Sequence, residues 1–279
     1  MRVGVGLPSA VPGTPGRLVP GWAERAEAAG FSSLGVLERV AYDSHDPFSA
    51  LAAAAACTST VGLVTMVAIG PLRPAAILAK QAASVHDISG GRLVLGLSIG
   101  ARREDYIVTG LDSRGRGTRL SDLLLELRPL WEEGIGVPGG PGRGPKVLSG
   151  GLSGQAFARM ARWADGYVHG GGPPRAFAGA AARVWAAWTD AGRPGRPELW
   201  GQGYFALGPG AEDAGARYLR DYYAFTGPFA EKIAAANLTS PQAVKDFVRG
   251  YEEAGCDELV LLPTVADPEQ LERLAEVLA

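Results

Sequence analysis

Val147-Leu148-Ser149-Gly150-Gly151-Leu152-Ser153-Gly154-Gln155 contains one complete change of secondary structure. A short apolar run, the mark of a strand buried in a parallel sheet, meets a glycine pair and then a helix start that includes Ser153. A strand that turns straight into a helix is the repeating unit of a helix-covered parallel sheet. The glycine pair itself has two readings. It is a tight turn with a serine N-cap, or it is a phosphate cradle. In the second reading glycine lets the backbone come close, and the N–H groups and positive dipole end of the helix meet the anion. Ser149 stands where the G-x-G-x-x-G fingerprint would have its first glycine, so the segment narrowly misses that pattern.

The same alternation extends in both directions. Upstream, residues 2–7, 33–38, 63–69 and 92–99 read as strands, and 18–29, 47–57, 74–88 and 120–133 as helices. Downstream, strands at 146–149, 166–169, 199–207 and 258–262 alternate with helices at 153–164, 175–191, 241–254 and 268–278. Residues 211–238 are too long for one helix and break at Gly227-Pro228. Eight strands in this order predict an α/β fold, a single (β/α)8 TIM barrel, with an open doubly wound sheet as the competitor. The Pro/Gly-rich residues 134–145 fit a loop between the barrel halves, so 1–279 is expected to be one domain.

With 279 residues, 47% hydrophobic and 20% charged, the chain can bury a large core. Its net charge of −2 gives no general attraction for a polyanion, which argues against nucleic acid as a partner. The two cysteines, Cys57 and Cys256, form neither a disulfide framework nor a metal-ligand spacing. Arg2-Val3-Gly4-Val5-Gly6-Leu7-Pro8 does not have the layout of a signal peptide, and no segment approaches the roughly 18 apolar residues of a membrane span. The expectation is a cytoplasmic protein acting on a small molecule, away from any membrane.

In a barrel the chemistry sits at the C-terminal ends of the strands. That rule sorts the three histidines. His86 lies at a helix end that leads into a strand, on the opposite, stability face. His45 follows strand two and faces either solvent or a site. His169 ends strand six before Gly170-Gly171-Gly172 and is the best placed to touch a ligand. No histidines lie close together, which disfavours zinc or non-haem iron, so no metal is expected. Lysine occurs only at 80, 146, 232 and 245, on helices or at the wrong end of a strand. Schiff-base chemistry therefore has no nucleophile.

Two further stretches carry a family resemblance. They are Ile69-Gly70-Pro71-Leu72-Arg73-Pro74-Ala75-Ala76-Ile77-Leu78-Ala79-Lys80-Gln81 and Ser89-Gly90-Gly91-Arg92-Leu93-Val94-Leu95-Gly96-Leu97-Ser98-Ile99-Gly100. With the glycine-pair segment and Ala164-Asp165-Gly166 in register behind them, the chain resembles the bacterial luciferase-like monooxygenase superfamily, the flavin- and F420-dependent barrel oxidoreductases. The resemblance runs from Arg2 to about Gly172. It implies a bulge around Met66, Val67 and Ala68, often with a non-proline cis peptide, against the middle ring of the cofactor. Ser98 and Gly100 would lie near the polar edge of the ring. Gly150, Gly151, Leu152 and Ser153 would hold the phosphate, with His169, Gly170 and Gly171 completing that side. Glu38 and Arg39 would face the substrate as catalytic groups, with His169 as a third candidate.

Where F420-dependent relatives place a histidine or carboxylate as proton donor, this chain has Arg39, which is no general acid at neutral pH. The resemblance implies a monooxygenase using reduced FMN and O2, with a separate flavin reductase as partner and a homodimer as the assembly. An F420-dependent hydride transferase is the alternative. A third reading is a flavin-binding relative without turnover.

Overall fold

The computed structural model describes residues 1–135, 137 and 144–279. Its strands are β1 (Arg2–Gly6), β2 (Ser33–Val36), β3 (Gly62–Thr65), β4 (Ala68–Ile69), β5 (Leu93–Ser98), β6 (Lys146–Gly150), β7 (Gly166–Val168), β8 (Glu198–Phe205) and β9 (Glu258–Pro263). All pairings are parallel, in the order β3-β2-β1-β9-β8-β7-β6-β5-β4. The sheet closes because β3 also pairs with β5, through Leu63 opposite Leu93 and Val64 opposite Val94. β3 and β4 are the two halves of the strand expected at 63–69, parted at Met66–Val67, whose peptide bond is cis. Counted as one strand, they complete an eight-stranded (β/α)8 barrel, and the open-sheet competitor falls.

The helices are α1 (Leu18–Ala28), α2 (Pro47–Cys57), α3 (Ala75–Ile88), α4 (Arg103–Val108), α5 (Arg116–Glu132), α6 (Gly154–Trp163), α7 (Pro174–Asp190), α8 (Ala211–Tyr222), α9 (Phe229–Ala235), α10 (Pro241–Glu253) and α11 (Glu269–Leu278). Local chemistry sets several starts: Asp46 caps α2 by accepting from Ser49 N, with Pro47 at the first helical position, and Ser240 caps α10 through Ala243 N. Two features depart from the expected layout. α4 is a short helix not anticipated after the fourth strand, and α5 starts at Arg116 rather than 120. The 211–238 segment breaks where expected, with a 3-10 turn at Ala224–Thr226 and Gly227 at φ +60°. Of the expected loop at 134–145, residues 136 and 138–143 lie outside the described residues.

Strand alternation creates two cores. Leu63, Leu93, Leu95, Leu97, Leu199 and Leu259 face the helix layer, while Val64, Leu148, Val168, Trp200, Val260 and Leu262 fill the barrel. The barrel cluster continues without a gap into Tyr218, Leu219 and Tyr222 of α8 and Ala234 of α9. The segment after β8 therefore packs over the C-terminal mouth. The opposite face is tied by ion pairs, Arg2 to Glu258 at 2.8 Å and Lys146 to Glu198. Among the described residues, no helix is long and apolar enough to cross a membrane.

Candidate functional site

The mouth is built from strand ends, and the small residues there set its shape. Gly150 ends β6 facing inward: a Cβ on it would meet Ser98 Cβ at 3.7 Å and Val168 Cγ1 at 3.4 Å. Ser98 lies on the same inner face, and its Oγ accepts from Gly100 N–H at 3.3 Å. Gly100 has φ +68°, and a Cβ there would meet Ile69 Cγ2 at 2.7 Å. Gln202 of β8 lies on the inner face between Trp200 and Tyr204 and donates from Nε2 to Gly170 O at 3.2 Å. Val67 packs against the barrel cluster, whereas Ala68 belongs to the helix-facing one.

Beside this floor, the glycine-pair loop leaves its backbone bare. Gly151 adopts φ +126°, and a Cβ there would meet Ala156 Cβ at 2.7 Å. Ser153 caps α6, its Oγ accepting from Ala156 N–H at 3.1 Å. Leu152 is exposed, and Gly154 and Gly170 have open space where a side chain would start. Gly171, at φ +96°, lies against the Gln202 backbone. The helix N-terminus and a loop clear of side chains open on the same side.

His169 sits at this edge but points away from the barrel interior. Val168 faces inward, so His169, one residue on, faces the helix layer with Tyr167. Its ring contacts Phe177 of α7 edge-on at 5.7 Å, and Tyr167 Oη lies 3.2 Å from Nδ1. The residue is 2% exposed, and Nε2 has no hydrogen-bond partner among the described residues. Burial pushes its pKa down, and the nearby Gly171 backbone works weakly the other way.

The structure separates the neighbours Glu38 and Arg39. The Glu38 carboxylate accepts at Oε2 from Ile69 N–H and at Oε1 from Arg73 Nη2, each at 2.5 Å. Arg73 reaches Asp46 Oδ2 as well, at 3.2 Å. Burial pushes the Glu38 carboxyl above its usual range, with Arg73 and the Ile69 N–H working against it. Both Glu38 oxygens are thus engaged in joining the end of β2 to β4, just past the cis bond. Arg39 turns the other way, into an aromatic cage. Its Cζ lies 4.2 Å from the Tyr222 ring centre, 5.1 Å from Phe225 and 5.3 Å from Tyr42. Nη1 donates to Tyr222 O at 2.9 Å, and Asp105 of α4 lies beside the guanidinium.

Reasoning from sequence did not single out Arg73, Asp105, Gln202, Tyr204 or the tyrosines of α8. Tyr204, on the inner face of β8, shares a hydrogen bond with Tyr223 at 2.8 Å between hydroxyls. Burial pushes the Tyr204 hydroxyl well above its ordinary pKa, leaving a neutral phenol at the mouth. The run Asp221-Tyr222-Tyr223-Ala224-Phe225, rich in aromatics between the last two strands, was the available signal.

A closed parallel sheet of eight strands surrounded by helices defines an α/β-barrel scaffold. The chain belongs to the luciferase-like monooxygenase family, whose profile matches residues 1–255. At the level of the family this is the fold of flavin- and F420-dependent oxidoreductases. An uncharacterised protein of Mycobacterium tuberculosis is 31% identical over 206 residues, covering 61% of this chain and 71% of that one. The pyrimidine monooxygenase RutA of Stutzerimonas stutzeri is 32% identical over 169 residues, 53% of this chain and 47% of that protein. In three dimensions the fold is similar to an F420-dependent secondary alcohol dehydrogenase in complex with an F420-acetone adduct. That match has a TM-score of 0.82 at 16% identity and covers 99% of this chain and 98% of the other.

Proposed function

We propose that this chain is a one-domain monooxygenase that binds reduced FMN at the barrel mouth and uses O2 on a small organic substrate. A separate reductase would supply the reduced flavin. The observation that carries the reading is the α6 cradle. Gly151, at φ +126°, puts its backbone where a Cβ would meet Ala156, ahead of the Ser153-capped N-terminus of α6. Backbone N–H groups at a helix start suit an anion such as a phosphate. Family membership and the pyrimidine monooxygenase relative support the same class.

The residues present fit such a group. Gly150, Gly151, Leu152 and Ser153 would hold the phosphate through backbone N–H groups, with Gly170 and Gly171 beside them. His169, kept neutral by burial and packed under the loop, would support that edge rather than the reacting one. Val67 would back the ring, with Ser98 and Gly100 at its polar edge. When bound, reduced FMN supplies the electrons that activate O2. The protein's share is to position and to exclude water. Glu38 is a positioning residue that fixes the segment behind the ring through Ile69 and Arg73. Tyr218 and Tyr222 close the barrel interior from above, and the Tyr204–Tyr223 pair has one free O–H to donate.

Titration of the purified chain with FMN and with F420, followed by O2 uptake with each reduced cofactor, tests the proposal. Binding of FMN at micromolar or tighter strength, about 8 kcal/mol, with flavin-dependent O2 uptake is expected. Binding of F420 alone, with no effect of oxygen, would transfer the assignment to hydride transfer. Binding of FMN without turnover on any oxidisable compound would leave a flavin-binding protein.

A further inference from the structure

Arg39 and Asp105 each have one edge fixed and one edge free. Arg39 Nη1 donates to Tyr222 O, and Asp105 Oδ1 accepts from the N–H groups of Val40 and Ala41, both at 2.9 Å. The free edges face one another with Nε and Oδ2 at 3.8 Å, beyond hydrogen-bonding distance. Arg39 Nε, Arg39 Nη2 and Asp105 Oδ2 have no hydrogen-bond partner among the described residues, although the two residues are only 8% and 1% exposed. Buried polar atoms are rarely left so, and three around one point form a recognition pattern of two donors beside one acceptor.

The surroundings narrow the class of ligand. Tyr222, Phe225 and Tyr42 supply flat aromatic walls around the guanidinium. Arg102 borders two of these rings, Tyr42 and Phe225, and Glu104 lies 3.7 Å from its Nε. A carboxylate would meet Asp105 Oδ2 with like charge. A simple ketone would leave that oxygen unpaired. A planar ring with a carbonyl next to an N–H satisfies both groups at once.

Resting on the reading of the mouth as a redox site, we propose that Arg39 and Asp105 are the specificity pair for a cyclic amide substrate. Arg39 donates to the carbonyl, and Asp105 accepts from the adjacent N–H. The ligand enters when the 3-10 turn at Ala224–Thr226, which carries Phe225, lifts from Arg39.

Uracil and benzoate, titrated calorimetrically into the chain with and without FMN, test this. Wild type should bind uracil and prefer it to benzoate by at least about tenfold, since benzoate lacks the donor. Asp105→Asn can keep an oxygen for Val40 and Ala41 while turning the free acceptor into a donor. It should lose about tenfold in uracil affinity and gain in benzoate affinity. Arg39→Gln should weaken uracil similarly, and it decides the matter should Asp105→Asn fail to fold in a thermal melt. Equal binding of the two probes by wild type, or an unchanged ratio in the folded variants, overturns the pair. Parallel loss of FMN affinity in Asp105→Asn also overturns it, because the pair would then read the pyrimidine edge of the flavin. Absence of FMN binding with the probe reversal intact would defeat the cofactor reading and leave this one standing.

Discussion

The Glu38 carboxylate and the Arg73 guanidinium meet at 2.5 Å across the end of β2 and the turn after β4, bridging 35 residues of chain. This pair holds the two sides of the mouth together and, with the Ile69 N–H, engages both Glu38 oxygens. Glu38→Gln can still accept from Ile69 but leaves Arg73 with Asp46 as its one carboxylate among the described residues. A loss of about 2–3 kcal/mol in urea unfolding is expected, below the usual cost of a broken buried pair because Arg73 keeps that contact. A variant as stable as wild type, with only turnover lost, would return Glu38 to the reacting centre.

Arg92 belongs to the Ser89-Gly90-Gly91-Arg92 stretch that helped to place the family, yet it works on the stability face. Its guanidinium donates to Ser89 O, Val61 O, Thr58 Oγ1, Thr58 O and Ala55 O. These bonds close the carbonyl end of α2 against β5. Lysine cannot reproduce the planar fork, so Arg92→Lys should cost about 2 kcal/mol in chemical denaturation. FMN affinity should stay unchanged. A shift in affinity without a shift in stability would place the motif at the site.

Glu27 makes part of the stability depend on acid. Burial pushes its carboxyl up, but the N–H groups of Thr60, Val61 and Ser59 and the Thr60 hydroxyl outweigh it and hold the pKa at about 2. A carboxylate lowered on folding stabilises the native state above its unfolded pKa, and that contribution fades as pH falls through the folded value. The gap in melting temperature between wild type and Glu27→Gln should be full above pH 4.5 and close towards about pH 2. A gap independent of pH would show that the change acts through packing alone.

The barrel was legible because its strands are continuous apolar runs and its helices carry a longer period, as in Leu93–Ser98 followed by Arg116–Glu132. Periodicity alone could not place the cis break, since Met66 and Val67 continue the apolar run unchanged; the family resemblance put it there. α4 went unseen because only Asp105 and Tyr106 are buried in a charged helix of six residues. The glycine turn and the Ser153 cap of α6 were readable from glycine and serine chemistry, which is local. The Glu38–Arg73 and Arg39–Asp105 pairings were not, because periodicity says nothing about side chains 35 or 66 residues apart. The direction of His169 could have been read: an inward Val168 sends the next side of the strand to the helices.

Gly154 offers the cleanest separation of cradle from turn. It is the first residue of α6, exposed, with open space where a Cβ would start, unlike Gly151, where any side chain meets Ala156. An aspartate there complements the helix dipole and removes a flexible glycine, two effects worth about 0.5–1.5 kcal/mol of added stability together. The same charge would stand beside the phosphate and compete for the N–H groups of the first turn. Gly154→Asp should therefore melt at or above the wild-type temperature while binding FMN at least about tenfold more weakly, a loss of some 1.4 kcal/mol. Riboflavin, which lacks the phosphate, should bind both proteins alike. Salt should narrow the FMN difference, as screening of an exposed charge requires. Equal FMN affinity in the stabilised variant would show that the loop is a capped turn and that the anion is held elsewhere.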